Sequence, residues 1–322
     1  MSEGGSLDTL RLRRAIADLE GLLSAQLLLS HPSPSALSAQ LGEQLSTDGA
    51  FEVIGEERVM EWRAALSQPE LRPTLNESLT RALSSFKGHR LGLYAERLFC
   101  ALLSVLPGHQ LLAHDLQIYA RSEGRQTLGA LDLLIQSPRG VEHLELTVKF
   151  YLKRHVGAGW AEWLGPNERD TMAKKAHRLL SHQLPLSERV EAKERLASLG
   201  LPSPTHRVAV YLGRCFEPVT PLGGVLSPLK RAQSVWVRRG QWMAAQNDSA
   251  GVTRRWVPRL YPDWLHRDQA LLEGATALSA GEVASLPLER GRYLMLSELT
   301  EEGEERRRWM LVSDEWGVAH RP

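Results

Sequence analysis

From His143 to Leu152 apolar and polar positions alternate without a break. Leu144, Leu146, Val148, Phe150 and Leu152 fall on one side; His143, Glu145, Thr147, Lys149 and Tyr151 fall on the other. A period of two predicts a strand over residues 142–152, whose first face packs in a core while the second lines up polar groups. A shorter apolar run at 128–136 predicts a partner strand, and Ser137-Pro138-Arg139-Gly140 between them predicts a tight turn. Helical spacing takes over on either side. Residues 90–106 read as one helix closed by Pro107-Gly108, and residues 168–184 as a second, closed by Pro185, with Asn167–Asp170 suited to capping its start. The loop 157–166 between is aromatic and glycine-rich.

Outside this middle stretch the texture differs. Leu10, Leu12, Ala15, Ile16, Leu19, Leu22 and Leu23 recur at helical spacing, a turn-rich 31–35 stops that helix, and further helices are expected at 56–66 and 75–85. Beyond about residue 205, strands are expected at 207–212, 234–237, 293–296 and 309–312, with the acidic and basic run 301–308 as a charged loop. The expected architecture is α/β: a helical segment 1–86, a core 87–200 of mixed sheet and helices, and a mainly β domain 201–322.

The strand pair carries the chemistry. If the hairpin turns about Pro138-Arg139, Asp132 stands opposite Glu145, with Cβ atoms about 5 Å apart on one face. Facing carboxylates repel, and a hard divalent cation such as Mg²⁺ or Mn²⁺ relieves that repulsion. A one-residue slip at Gly140 would send the two acids to opposite faces. On the helix 90–106, Glu96 is the one charged residue of an otherwise apolar stripe, so it faces inward and needs a cation or strong hydrogen bonds. On the helix 168–184, Met172, Lys175, Leu179 and Gln183 share a stripe, which makes Lys175 the inward lysine and Lys174 the solvated one. Either Lys175 or Lys149 suits charge stabilisation beside the acids; an ion pair of Lys175 with Glu96 or Asp132 is the structural alternative.

Composition narrows the classes little. The chain is 43% hydrophobic and 24% charged, and 39 basic residues nearly cancel 38 acidic ones, so a nucleic-acid partner has to rest on a local patch. Two distant cysteines have no zinc-like spacing and argue against a disulfide scaffold. Met1–Ser6 shows no signal pattern and no apolar run reaches the roughly 20 residues of a membrane span, so a reduced, cytoplasmic compartment and no membrane partner are expected. There is no glycine-rich phosphate loop, no His-Glu-x-x-His and no Gly-x-Ser-x-Gly, and none of the eleven histidines has metal-ligand spacing. One basic patch stands out. Residues 230–267 hold eight basic residues against two acids, interleaved with aromatics. Arg238, Arg239, Arg254 and Arg255 are candidates for phosphates, and Trp242 and Trp256 for stacking on unpaired bases. The competing reading makes the tryptophans core and the arginines their rim.

The runs Arg90-Leu91-Gly92-Leu93-Tyr94-Ala95-Glu96-Arg97-Leu98, Thr127-Leu128-Gly129-Ala130-Leu131-Asp132, Leu144-Glu145-Leu146-Thr147-Val148-Lys149-Phe150-Tyr151-Leu152 and Gly165-Pro166-Asn167 resemble an uncharacterised bacterial family of unknown function that has been grouped with the PD-(D/E)XK nuclease-like superfamily. That resemblance implies a restriction-endonuclease-like core in which Asp132 and Glu145 hold Mg²⁺ and Glu96 is the acid of the first core helix. The superfamily's lysine stands two residues after the glutamate, where this chain has Thr147; Lys149 or Lys175 would then supply its charge. The implied function is Mg-dependent hydrolysis of DNA phosphodiesters. The alternative is an inactive nuclease fold that binds nucleic acid or a protein.

Overall fold

The structure is a computed structural model, described here for residues 9–29, 51–88, 90–121, 126–222, 225–227, 234–246, 254–261, 263–266 and 276–318. The expected turn at 31–35 and the basic residues Lys230, Arg231 and Arg267 lie outside the described residues. In chain order the elements are α1 (Thr9–Leu23), β1 (Gln26–Leu27), β2 (Glu52–Val53), α2 (Glu56–Leu66), α3 (Arg72–Ser84), α4 (Leu91–Leu103), β3 (Gln110–Tyr119), β4 (Thr127–Ser137), β5 (Gly140–Lys153), β6 (Trp163–Leu164), α5 (Met172–Arg178), α6 (Val190–Ser198), β7 (His206–Pro218), β8 (Thr220–Leu222), β9 (Val225–Ser227), β10 (Ser234–Arg238), β11 (Arg255–Arg259), α7 (Ala280–Ser285), β12 (Tyr293–Leu299) and β13 (Glu305–Val312).

The chain divides into two units that interleave in sequence: residues 1–149 with 175–213, and residues 150–174 with 214–322. The first is a mixed sheet with helices. The hairpins β3–β4 and β4–β5 are antiparallel, β7 takes β2 in parallel and β1 antiparallel, and α4 and α6 pack on β3. Ala15, Leu19, Leu22 and Leu23 of α1 are buried, as the helical stripe required, and α1 contacts α2, α3 and α4. Ile118, Leu131, Leu134, Val141, Leu186, Ala192 and Leu196 form one core cluster of this unit. Glu142 is wholly buried and bound by both terminal nitrogens of Arg58, at 2.7 and 2.8 Å, which ties α2 to β5. Two charges out of water hold only with such two-pronged geometry.

Strand β5 is buried on both sides from Val141 to Val148. One expectation changes here. The second helix starts at Met172 rather than 168. Thr171 Oγ1 accepts the Lys174 N–H at 3.2 Å and so caps it, while Glu168 sits at φ 59° and turns its carboxylate to the Gly317 N–H. Strand β3 had no clean alternation to announce it, because Asp115 at φ 47° and two register shifts against β4 break the period.

In the second unit β11–β12–β13 is antiparallel and β10 runs parallel to both β13 and the end of β7. Val235, Trp242, Trp256, Val283, Leu294, Leu296, Trp309 and Leu311 are its core. The run 301–308 is not simply a charged loop. Glu305 opens β13, and Glu305 and Arg308 are buried together with Arg259, whose Nε donates to Ser297 Oγ at 2.8 Å.

Candidate active site

The β4–β5 hairpin has the register its turn called for: Ser137 pairs with Gly140, Gln136 with Val141 and Leu133 with Leu144. One step further sets Asp132 opposite Glu145. There the regular ladder stops and side chains take over. The Asp132 N–H donates to Glu145 Oε1 at 3.3 Å, and the Leu146 N–H donates to Asp132 Oδ2 at 3.0 Å. Each acid thus accepts a hydrogen bond from the opposite strand, and the two carboxyl groups are hydrogen-bonded to each other.

Around them the first unit gathers the other candidates. Gln183 Nε2 donates to Glu145 Oε2 at 2.6 Å, and Lys175 Nζ donates to Gln183 Oε1 at 2.9 Å. Lys175 and Gln183 share a face because α5 passes into a π-helical turn, Leu179–Gln183, a device that often re-aims side chains at functional sites. Lys175 therefore reaches the acids through an amide. Glu96, on α4, makes no hydrogen bond or ion pair among the described residues, so the ion pair with Lys175 that its sequence also allowed is not formed.

The electrostatics follow from burial and like charge. Burial, then the Glu145 charge, pushes the Asp132 carboxyl up to about 8. Burial, then Asp132, Asp115 and Glu145, pushes Glu96 up to about 8. Glu145, 0% exposed, is pushed up to about 7 by burial, against the pull of its hydrogen bonds. Lys175 is held below the usual ammonium range by burial and by the neighbouring Lys149 charge. Three carboxyls whose ionisation is opposed by burial thus influence one another in this part of the first unit.

Two residues that sequence reasoning passed over belong here. His143 Nε2 lies 2.7 Å from Glu145 Oε1 and its Nδ1 lies 3.1 Å from Ser187 Oγ. Burial drives this imidazole down to about 4, so it is neutral. The signal for His143 was present in the alternation that put it beside Glu145, but a search for metal-ligand spacing looks past it. Ser187 had no signal: it enters only because Pro185 begins a 3-10 turn, Leu184–Glu188, where its missing N–H costs nothing. Thr147, two residues after Glu145, is buried at 3% exposure and its Oγ1 has no hydrogen-bond partner among the described residues. An orphan buried hydroxyl costs about 1–3 kcal/mol. Thr147→Val is accordingly expected to raise the stability of the ligand-free protein by about 1 kcal/mol, read as the midpoint of urea unfolding.

The Arg/Trp candidates all lie in the second unit. Trp242 and Trp256 are 0% and 1% exposed and pack edge-to-face with centroids 5.3 Å apart, so neither offers a face to a base. Arg238 stacks on Trp236 at 5.3 Å and donates to the Trp316 carbonyl; Arg239 donates to the Leu286 carbonyl. Arg254 lies 3.7 Å from the buried Glu298, and Arg255 is exposed. Burial places these tryptophans in the core and most of the arginines around it.

Residues 17–313 match the family described as Domain of unknown function (DUF1853). The chain belongs to that family. The DUF1853 match spans both units, including every candidate residue around Asp132 and Glu145. No curated protein and no solved structure matches the chain. Among the described residues no helix is long and apolar enough to cross a membrane.

Proposed function

We propose that this chain is a Mg²⁺-dependent phosphodiesterase of nuclease type, with a restriction-endonuclease-like core in its first unit and DNA as substrate. The observation that carries the reading is the adjacency of the buried Asp132 and Glu145 carboxyls, with Lys175 linked to Glu145 through Gln183. Among the described residues no three His, Cys, Asp or Glu side chains form a ready-made metal cage. Mg²⁺ needs none, since one or two carboxylates suffice and water and phosphate oxygens complete its octahedron. The oxygen-only pair fits that ion, or Mn²⁺, and does not fit zinc.

When bound, the cation would polarise the phosphate and lower the pKa of an attacking water. The chain's own groups do the rest. Asp132 and Glu145 would hold the ion, while Lys175, aided by Lys149, places positive charge where the phosphorane oxygens gain negative charge. Glu96, with no hydrogen-bond partner among the described residues and in electrostatic reach of Asp132 and Glu145, would accept a proton from water. The test is cleavage of single- and double-stranded DNA by the full chain with Mg²⁺ or Mn²⁺. Cleavage that EDTA stops supports the reading; salt-sensitive DNA binding without cleavage would instead favour an inactive nucleic-acid-binding fold.

A pH signature follows from the same carboxyls. Their folded pKa values lie above the ordinary value of about 4, so between about pH 4 and pH 8 the folded state keeps protons that the unfolded chain has lost. Stability of the metal-free protein therefore falls as pH rises through that window. A divalent cation competes with those protons. The rise in melting temperature on adding Mg²⁺ is expected to be small near about pH 6 and much larger near about pH 9. A Mg²⁺ shift that does not change with pH would place the ion elsewhere.

A further inference from the structure

We propose that Arg254, Arg306 and Arg307, with the Gln246 amide, form an anion site in the second unit that takes a phosphate-class oxyanion. The site is separate from the acids of the first unit and does not rest on their reading.

Strands β11, β12 and β13 set its members in register. Trp256 pairs with Glu298 and Glu298 with Arg307, so the three stand in one row on one face of the sheet. Arg254, two residues before Trp256, reaches the same row: its Nε lies 3.7 Å from Glu298 Oε1, and Arg306 Nη1 lies 3.6 Å from that oxygen. Both are ion-pair contacts too long for hydrogen bonds. The other oxygen, Oε2, accepts the Trp309 indole N–H at 2.8 Å. Three guanidinium groups thus gather around one buried carboxylate, and positive charge is in excess. Glu301, Glu302 and Glu304, exposed in the turn before β13, form no ion pair with these arginines among the described residues.

Donors are in excess as well. Arg254 Nη1 donates to Gln246 Oε1 at 3.5 Å, which sets the amide nitrogen beside the guanidinium. Arg254 Nε, Gln246 Nε2 and the Trp256 indole nitrogen are all buried without a hydrogen-bond partner among the described residues. Guanidinium, amide and indole nitrogens only donate, so what they lack is an acceptor. A buried donor left unmade is costly. Burial lowers the Arg307 guanidinium from its ordinary range; Glu298 opposes that, while Arg306 and Arg254 add to it. An oxyanion answers both deficits. It brings negative charge and several acceptor oxygens, and the guanidinium fork matches phosphate geometry. The way in is past Arg306, whose side chain is 52% exposed. Trp242 and Trp256 offer no stacking face, so the group recognised is the phosphate and not a base.

The full chain, titrated with inorganic phosphate against chloride at equal ionic strength, tests this. Phosphate is expected to raise the melting temperature saturably where chloride does not. Arg254→Gln is expected to weaken phosphate binding about tenfold. Arg306→Gln should weaken it by a smaller factor, and Arg255→Gln, on the other face of β11, should leave it unchanged. Glu298→Gln keeps an oxygen for Trp309 and removes the competing charge, so it is expected to tighten binding severalfold; a purely structural ion pair gives no such gain. Should Arg254→Gln fail to fold, the half-exposed Arg306 carries the test. A single-stranded oligonucleotide separates the sources. Salt-sensitive binding that phosphate displaces and Arg254→Gln weakens would make the ligand a nucleic-acid backbone. Phosphate binding without it would make the ligand free phosphate or a small phosphorylated molecule. Neither probe bound better than chloride, or folded Arg254→Gln and Arg306→Gln proteins that bind as the parent does, would overturn the proposal. Absence of DNA cleavage, which sinks the reading of the first unit, leaves the phosphate titration untouched.

Discussion

Asp132→Asn is expected to abolish Mg²⁺-dependent cleavage, by roughly a thousandfold or more, while the metal-free protein melts at a higher temperature than the parent. The two halves of that result have one cause. Asp132 is pushed up to about 8 by burial and by the Glu145 charge, so its ionised form is a cost the fold bears. The amide occupies the same volume, keeps an oxygen for the Leu146 N–H and carries no charge to repel Glu145. What it lacks is the anionic oxygen a hard cation needs. Stability gained together with function lost is the mark of a strained functional site. Cleavage rates with Mn²⁺ and melting curves above about pH 8, where the native carboxyl ionises, give the two readouts. A variant that melts lower and still cleaves would show Asp132 to be structural.

The largest expected loss of stability is at Gly213, on the far side of β5. A Cβ placed there would stand 1.7 Å from the Lys149 carbonyl oxygen and 3.0 Å from Leu28 Cδ1, and the backbone has φ +157°. The methyl of Leu28 could swing aside; the carbonyl belongs to the strand that carries Glu145, Thr147 and Lys149, and cannot. Gly213→Ala is expected to cost about 3 kcal/mol or more, above the usual range for an overpacked side chain, because the obstacle is main chain. Urea unfolding measures it. A loss below about 1 kcal/mol would mean that β7 and β5 do not approach as closely as described.

Some of this was legible beforehand. The α2 bounds were read at Glu56–Leu66 as found, and β4 and β5 extend the expected strands by one or two residues at each end. Local periodicity and a two-residue turn specify such elements completely. The pairing of Asp132 with Glu145 was legible for the same reason: a hairpin closed at Pro138-Arg139 has only one register. Strand β11 and helix α6 were not foreseen, being short and weakly patterned. The basic segment misleads because the sequence shows charge and aromatic content but not side: only packing buries Trp242, Trp256 and Arg259 together.

By itself, then, the sequence determined the hairpin, the flanking helices and the two facing acids, since each depends on residues near in the chain. Tertiary structure alone decided that β5 is covered on both faces, that Glu96 stands without a partner among the described residues, and that Ser187, 44 residues away, reaches His143. Those facts depend on what a long-range neighbour brings or withholds, and burial turns them into chemistry. The same carboxylates on an open sheet would be ordinary solvated acids.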